Sequence, residues 1–261
     1  MDTYRLYKGY WIFNDAPNKE KRLSHKEAYA WLERGGLMLR NTYDFDCDET
    51  TKFWYVIKDV FGGYEELSRN TRNQVRKGYK NFTIRPISKD ILRQQGYNVY
   101  RQATLHYKVQ SRLVDEKTFL QDIANIPDNM ELWGAFSQAD NTLSAYALCR
   151  IQSNYCSYAN LKGTPDALKN YAYYALFFEM NKYYLTDRHM AYVSDGARSM
   201  TEHSNIQPFL IDKFRFRKAY CHLYIYTKGW LKPFLLLGFP LRKLVPYRSI
   251  RAVLKLYSLQ G

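Results

Sequence analysis

The feature that most constrains this fold is a run of three β-rich segments followed directly by a long apolar segment. The run is ELWGAFSQADNTLSAYALCRIQSNYCSYANLKG, residues 131–163, with turn residues at 138–141 and 152–154. This pattern predicts an antiparallel meander. The next segment, DALKNYAYYALFFEMNKYYLTD at 166–187, is apolar around most of its circumference and predicts one long buried helix. A meander packed on a buried helix indicates a layered α/β protein.

The segments before the meander predict helices with clear start signals. Ser24 is placed to cap a helix that carries Glu27 three residues later, and Gly35 and Gly36 would end it. LMLRNTYDFD at 37–46 then predicts a strand. Ser68 is placed to cap a basic helix, SRNTRNQVRKGYK, which the strand FTIRPI follows. Residues 88–126 predict mostly helix.

The segments after the apolar helix predict a strand, a short helix and a final strand. They are HMAYVSDG at 189–196, NIQPFLIDKF at 205–214 and FRKAYCHLYIYTKG at 216–229. The expected fold class is therefore α/β (α+β), with a mixed, mostly antiparallel sheet flanked by helices.

The net charge of +14 is concentrated in two stretches without acidic residues. Residues 213–261 contain eleven Lys and Arg residues, and residues 67–89 contain seven. Such stretches attract phosphate groups of RNA, lipid or a nucleotide-bearing cofactor, and a solvated surface is the alternative interpretation.

Other sequence features bear on location and metal binding. The N-terminal MDTYRLYKGYW lacks an apolar core of the kind found in export signals, and PFLLLGFP is too short to span a bilayer. We therefore expect a cytoplasmic protein, peripheral at the inner face of the plasma membrane if the C-terminal segment binds lipid. The four cysteines lack zinc-ligand spacing, so no metal is expected.

Three stretches resemble the GNAT acyltransferase superfamily, and within it the Fem-type branch of peptidoglycan aminoacyltransferases and acetyltransferase-like relatives. LSRNTRNQVRKGYKNFTIRPI is similar to the branch's Leu-Ser-x-x-x-Arg-x-x-Ile-Arg-Lys-Ala opening, with Arg72, Arg76 and Lys77 in the basic places. SYANLKGTPDALKNYAYYALFFEM resembles its strand, loop and long helix. AYVSDGARSM with FLIDKFRFRKAY resembles its Asp-Phe-Gly strand end and Tyr-Lys-x-x-Phe-Gly turn. The likeness covers residues 67–227.

The resemblance implies a GNAT-like domain at 67–228, after an N-terminal extension at 1–66 that is a partial or reduced subdomain, and before a basic amphipathic tail at 229–261. It implies N- or O-acyl transfer by direct attack without a metal. The Gln/Arg-x-x-Gly-x-Gly/Ala phosphate loop of GNAT acetyltransferases is absent, since LKGTPDALKN stands in its place, and Arg217 occupies a position that is commonly glycine. The donor stays open between an acyl-CoA, such as acetyl-CoA, and an aminoacyl-tRNA.

The resemblance places the donor's phosphates where the last strand of the meander meets the apolar helix. The candidate donor-binding residues are Lys162, Gly163, Thr164, Lys169, Asn170 and Tyr171. Backbone amides, a helix N-terminus and two lysines suit an anion, and an ordinary turn with exposed lysines is the alternative. We also expect two neighbouring strands to separate there and leave a slot for the carrier.

The stretch YVSDGARSM, residues 192–200, supplies the candidate catalytic residues. Ligands gather at strand ends in open α/β sheets. Asp195 is therefore a candidate base, Arg198 a candidate anion holder, and His203 a candidate titrating group. In the alternative interpretation, Asp195 caps a turn and pairs with Arg198, and His203 is incidental.

The candidate substrate-binding residues are Tyr146, Tyr158 and Asn160 on the meander, with Arg72 and Arg76 on the basic helix. Tyrosines on strands are also well suited to plain packing, which is the alternative.

The C-terminal tail alternates apolar and basic residues. Tyr247, Ile250, Val253 or Leu254, and Tyr257 recur on one helical face, with arginines and lysines between them. Together with Trp230 and PFLLLGF, this pattern is typical of an interfacial helix on an anionic membrane. Packing of residues 229–261 back onto the domain is the alternative.

We therefore expect an acyltransferase that acts on a cell-envelope or polysaccharide-precursor acceptor, with tRNA and an anionic membrane as candidate partners. The alternatives from other classes are a non-catalytic RNA-binding protein that uses both basic stretches, and a scaffold with the same fold.

Overall fold

The structure is a computed structural model that describes residues 3–7, 9–106, 112–200 and 205–260. His203 lies outside the described residues, as do 107–111 of the predicted helical stretch. The chain divides into two compact units. The first unit comprises Met1–Val56, Ala197–Glu202 and Lys218–Gly261, and the second comprises Ile57–Gly196 and His203–Arg217. The predicted domain boundaries stay predictions, because compactness alone does not show which segments fold independently.

The described residues form ten strands and nine α-helices. The strands are β1 (Tyr4–Tyr7), β2 (Tyr10–Phe13), β3 (Met38–Tyr43), β4 (Phe53–Lys58), β5 (Phe82–Ile87), β6 (Met130–Ser137), β7 (Leu143–Gln152), β8 (Tyr155–Gly163), β9 (Tyr192–Ala197) and β10 (Arg217–Thr227). The helices are α1 (His25–Glu33), α2 (Arg69–Asn81), α3 (Lys89–His106), α4 (Glu116–Ala124), α5 (Pro165–Lys169), α6 (Ala172–Lys182), α7 (Ile206–Phe214), α8 (Leu231–Gly238) and α9 (Arg248–Tyr257). Within the described ranges, no helix has both the length and the apolarity needed to cross a bilayer.

The first unit has the strand order β1-β2-β3-β10-β4. β2 is parallel to β3, and β10 runs antiparallel to β3. As predicted, Ser24 and Glu27 form a capping box at the start of α1, and the helix ends before Gly35 and Gly36, which both have positive φ. Helix α1 packs on the strands through a cluster that includes the buried Leu32.

The second unit has the strand order β9-β8-β7-β6-β5, with the predicted meander β6-β7-β8 at its centre. All neighbours from β5 to β8 pair antiparallel, and β8 and β9 pair parallel. Successive strand residues point to opposite faces. Accordingly, Phe136 and Tyr146 join a cluster with α3 and α4, whereas Ala135 and Ala145 join a cluster with α5 and α6. This confirms a mixed α/β fold with a mostly antiparallel sheet flanked by helices.

The prediction of one continuous helix over residues 166–187 is wrong. It consists of α5, a break at Asn170 and Tyr171, α6, and a final π-helical turn at Tyr183–Asp187. Tyr171 adopts a left-handed conformation with φ of 68°, which ends the helical path. Helix α2 approaches closely at this break, because a Cβ added to Gly78 would lie 2.6 Å from the Tyr171 carbonyl oxygen. Burial of α6 on most of its circumference is confirmed.

Candidate active site

Strands β8 and β9 stop pairing well before either strand ends. Their parallel ladder consists of three pairs, and the last of them joins Ser157 to Ser194. β8 continues to Gly163, and β9 continues through Asp195 and Gly196. Beyond the last pair, the facing edges of these strands are no longer paired with each other. The end of the ladder agrees with the expected separation of two neighbouring strands, and the slot for the carrier stays a prediction.

A β-bulge lies on β8 at the same place. Leu148 of β7 pairs with Asn160, and Cys149 pairs with Tyr158, so Ala159 is an extra residue without a partner on β7. A bulged residue is left out of the ladder and bends its strand. Ala159 and Asn160 are both exposed. The parting of the strands is therefore accompanied by an irregular, accessible stretch of β8 backbone.

Asp195 is the first residue of β9 after the pairing ends, and its side chain is half-buried. Burial removes the carboxylate from water and raises the pKa of Asp195 to about 7, although a hydrogen bond from the Gln207 side chain opposes this in part. Among the described residues, no cation forms a salt bridge with Asp195. A carboxyl group with a pKa near neutrality can both accept and donate a proton under physiological conditions.

The backbone beside Asp195 is shaped by Gly196. This residue has a φ of +82°, and its amide donates to Ser194 Oγ over 2.9 Å. A Cβ added to Gly196 would have no atom within 4 Å, so the space next to it is open. Glycine is needed here for the positive φ rather than for close packing.

A buried polar pair lies on the β8 side. The Tyr158 hydroxyl donates to Asn181 Oδ1 of α6 over 2.8 Å, and the side chains are 4% and 0% exposed. Burial raises the pKa of the Tyr158 phenol, with further contributions from Cys156, Cys149 and Asp195, so the phenol keeps its proton. The Tyr158 ring lies against Phe177 and Phe216. Tyr158 is therefore a buried part of the candidate site and supports it from beneath the protein surface.

Asn181 was missed by the sequence analysis. Its Nδ2 is buried and has no hydrogen-bond partner among the described residues. A buried donor without a partner is rare in proteins and costs about 1–3 kcal/mol. The signal in the sequence is a single asparagine within an apolar helical stretch, ALFFEMNKYY.

Arg198 makes its described contacts within the first unit. Its guanidinium carbon lies 4.0 Å from the centroid of the Trp54 ring, and Nη1 donates to the Lys52 carbonyl over 2.6 Å. Among the residues that the structure describes, Asp195 is not one of the partners of Arg198. The roles assigned to Arg198 and His203 stay predictions.

The predicted donor-binding residues other than Lys162 lie between the end of β8 and the start of α6. Thr164 caps α5, accepting from the Ala167 amide, and Tyr171 occupies the N-cap of α6 without a side-chain capping bond. Gly163 is packed tightly, because a Cβ there would lie 3.0 Å from Leu168 Cδ2. Lys169 is exposed, and the Lys77 ammonium lies 5.5 Å from the centre of the Tyr171 ring. An uncapped helix start with cations nearby is favourable for an anion.

The remaining predicted residues lie apart from one another. Tyr146 packs under α3 and α4, on the face of the sheet opposite to the one that carries α6. Lys162 places its ammonium 5.7 Å from the centre of the Tyr100 ring. Arg72 is half-exposed on α2, and Arg76 lies over the Tyr64 ring. The structure thus brings Tyr158 and Asp195 together at the parting strands, whereas Asn160, which pairs with Leu148, lies on the same face of the sheet as Tyr146.

Comparison with known proteins identifies the fold. No model of a protein family and no curated protein matches the chain. The structure is similar to FemX, with a TM-score of 0.53 and 10% identity over 71% of this chain and 63% of FemX. It is also similar to the C-terminal domain of a protein from Agrobacterium fabrum described as a lysylphosphatidylglycerol synthetase, with a TM-score of 0.53 and 9% identity over 90% of this chain and 83% of that one.

The chain spans less than two thirds of FemX. At these identities the likeness shows the fold alone, and that fold is GNAT-like and of the Fem type. The resemblance that the sequence predicted is therefore confirmed at the level of the fold. Among the described residues, no three metal-ligating side chains converge.

Proposed function

We propose that this protein is an acyltransferase that moves an acyl group from an acyl-CoA or an aminoacyl-tRNA to an amine or hydroxyl of a cell-envelope or polysaccharide precursor. The observation that supports this most is the parting of β8 and β9 beside Asp195, within a GNAT-like fold. Acyl transfer needs two reactants held together, a proton acceptor and donors for a developing oxyanion.

In this proposal Asp195 is the proton acceptor. Its pKa of about 7 lets it take a proton from the attacking amine or hydroxyl and return it to the leaving group. The irregular backbone of β8 around Ala159 supplies amide donors for the oxyanion.

The reaction proceeds by direct attack. The acceptor nitrogen or oxygen forms a bond to the acyl carbon, and the carbonyl electrons move onto its oxygen. Collapse of this tetrahedral intermediate breaks the thioester bond of an acyl-CoA or the ester bond of an aminoacyl-tRNA. The proton taken up by Asp195 passes to the departing sulfur or oxygen, so the protein is unchanged after one turnover.

The phosphates of the donor are proposed to lie at the break between α5 and α6. The uncapped start of α6, with Lys77 and Lys169 in the same region, supports an anion there. Both donors carry phosphates, so this feature does not distinguish between them.

Thermal unfolding with each donor tests the proposal. A ligand at about 100 times its Kd stabilises the native state by about 2.7 kcal/mol. We expect either coenzyme A or an aminoacyl-tRNA to raise the midpoint, and the corresponding acyl donor to be consumed when an amine acceptor is added. No shift and no transfer with either donor class would refute the proposal.

A second candidate function is RNA binding without catalysis, which the basic surface of α2 favours. Its cations Arg69, Arg76, Lys77 and Lys80 are exposed, and the helix contains no acidic residue. Such a protein would bind uncharged and charged tRNA equally and would transfer nothing. Substitution of Arg69 and Lys80 by Gln would then weaken tRNA binding, whereas Asp195→Asn would leave it unchanged.

A further inference from the structure

The segment 228–260 combines two properties that rarely occur together on a protein surface. It contains seven cations and no acidic residue. The cations are Lys228, Lys232, Arg242, Lys243, Arg248, Arg251 and Lys255. Eight of the sixteen large apolar side chains that are exposed in the described residues also lie here. This density is far above that of the rest of the chain and points to a binding surface.

The exposed apolar side chains are concentrated in α8, in the turns that follow it and at the start of α9. They are Trp230, Phe234, Leu236, Leu237, Leu241, Leu244, Tyr247 and Ile250. Leu237 and Leu244 are 73% and 79% exposed, which is extreme for leucine. Arg248 and Arg251 are exposed beside Tyr247 and Ile250 on α9.

This exposure does not result from a detached segment. Leu235 of α8 and Leu254 and Leu256 of α9 are buried, and a Cβ on Gly238 would lie 3.1 Å from Leu254. Gln260 Oε1 accepts a hydrogen bond from the Ile225 amide of β10 over 2.8 Å. The segment therefore packs onto the first unit through one side, as the alternative interpretation expected, and displays its other side to solvent.

The chemistry of the displayed side selects one class of partner. Cations without neighbouring acids favour an anionic partner, and the leucines and aromatic rings favour one with an apolar interior. A nucleic acid would satisfy the cations and leave the leucines in water. A second copy in a symmetric dimer would bring two sets of seven cations together.

We propose that residues 228–260 form an interfacial membrane-binding surface, in which the exposed side chains of α8 and the following turns insert into an anionic lipid bilayer and the cations contact lipid headgroups. This surface lies in the first unit and does not depend on acyl transfer.

Sedimentation of the full chain with large unilamellar vesicles tests the proposal. Vesicles of phosphatidylcholine alone are compared with vesicles that contain about one third phosphatidylglycerol. We expect strong binding to the anionic vesicles and weak binding to the neutral ones, because each cation near such a surface changes the partition coefficient about fivefold. Equal binding to both vesicles, or binding to neither, would overturn the proposal.

Two sets of variants distinguish insertion of the apolar side chains into the bilayer from electrostatic attraction of the cations to its surface. Leu237→Ser with Leu241→Ser and Leu244→Ser is expected to lower the partition coefficient at least tenfold. Lys243→Gln with Arg248→Gln and Arg251→Gln is expected to lower it about 100-fold on anionic vesicles. The matched controls are Leu6→Ser with Leu37→Ser and Leu105→Ser, and Lys26→Gln with Arg101→Gln and Lys117→Gln, all at exposed positions. Circular dichroism verifies that each variant folds.

Controls that weaken binding as much as the tail variants would refute the assignment of the surface. So would a wild-type protein that forms a dimer, ignores vesicles and becomes monomeric with the triple leucine substitution, since the occupant would then be a second copy. Fluorescence gives an independent readout, because insertion places Trp230 in lipid. A blue shift on anionic vesicles is expected for the wild type and is expected to shrink in the Trp230→Phe variant.

Discussion

The two units each contain a buried or half-buried carboxyl group, and the two groups differ in what surrounds them. Glu20 in the first unit is 4% exposed and accepts hydrogen bonds from Tyr4, Asn41 and Thr42. Asp195 in the second unit has the Gln207 side chain as its described hydrogen-bond partner and lies next to open space at Gly196. Burial raises the pKa of both carboxyl groups. A raised pKa alone therefore does not mark a reactive carboxyl group. Asp195 is the candidate, because it is more accessible than Glu20 and has fewer hydrogen-bond partners.

The buried asparagines repeat this contrast. Asn41 is fully buried, its Nδ2 donates to Glu20 and to the Lys21 carbonyl, and its Oδ1 accepts from the Leu23 amide. Asn181 is equally buried, but its Nδ2 has no partner in the described part of the chain. Both polar atoms of the Asn41 side chain have partners, so its network is structural. The Asn181 side chain keeps an amide nitrogen without a described partner near the parting strands.

The largest expected effect is on catalysis. Asp195→Asn is expected to lower kcat for acyl transfer by about 100-fold or more, because the amide cannot accept the proton. Glu20→Gln makes the same carboxyl-to-amide change in the network that includes Asn41 and is the matched control. Steady-state transfer assays should show its kcat within about twofold of the wild type. Equal activities for the wild type and Asp195→Asn would remove Asp195 from the mechanism.

The next largest effect is on the free energy of unfolding, where substitution of Glu20 is expected to matter more than substitution of Asp195. Glu20→Ala is expected to lower the free energy of unfolding by about 2–4 kcal/mol, because it removes an acceptor that three buried polar side chains share. Asp195→Ala is expected to change it by less than about 1 kcal/mol at pH 5. Urea denaturation measures both. A larger loss for Asp195→Ala would mean that the site is structural.

Replacement of Asn41 or of Asn181 by leucine, in separate variants, is expected to affect the free energy of unfolding differently. Asn41→Leu is expected to cost about 2–3 kcal/mol, because the Leu23 amide and Glu20 lose a partner. Asn181→Leu is expected to stay within about 1 kcal/mol of the wild type, because removal of the unpaired Nδ2 offsets the lost Tyr158 bond. Thermal and urea unfolding give the two values. Similar losses at both positions would show that Asn181 is satisfied after all.

The smallest effect is the pH dependence of stability. The pKa of Asp195 is about 7 in the native state and near 3.8 when unfolded. Between these values the native state holds a proton that the unfolded state has lost, so this residue's contribution to stability declines as pH rises from about 4 to about 7. Asp195→Asn removes this dependence.

We therefore expect Asp195→Asn to match the wild type at pH 4 and to exceed its free energy of unfolding at pH 8 by about 1–2 kcal/mol. The value is below the full linkage energy because the side chain is only half-buried and water screens part of it. Unfolding curves at pH 4, 6 and 8 measure the difference. A constant difference across this range would contradict a raised pKa.

The sequence predicted β3, the strands from β5 to β10 and most helices because their signals are local, but it did not predict β1, β2 or β4. The meander, the capping box at Ser24 and the helix capped by Ser68 each follow from a short pattern. The break at Tyr171 was not predictable in this way, because its left-handed backbone accompanies the close approach of Gly78 from a helix distant in sequence. Local propensity carries no information about such contacts.

The candidate site was predicted only in part. Asp195 and Tyr158 follow from a strand end and the meander, but the bulge at Ala159, beyond which Asn160 faces the side opposite to Tyr158, depends on the register between two strands. Burial decides the pKa of Asp195 and the isolation of Asn181 Nδ2, and burial is a tertiary property. Tyr146 was grouped with Tyr158 because both lie on the meander, although they face opposite sides of the sheet.

The measurement that most directly tests the central claim is amide hydrogen exchange with and without a bound donor. Residues 158–163 and 195–196, at the parting of β8 and β9, are expected to exchange at least tenfold more slowly when coenzyme A or an aminoacyl-tRNA is bound at saturation, because the donor then covers the stretch where these two strands no longer pair with each other. A donor that binds while exchange at these residues stays unchanged, and slows only elsewhere, would contradict the account.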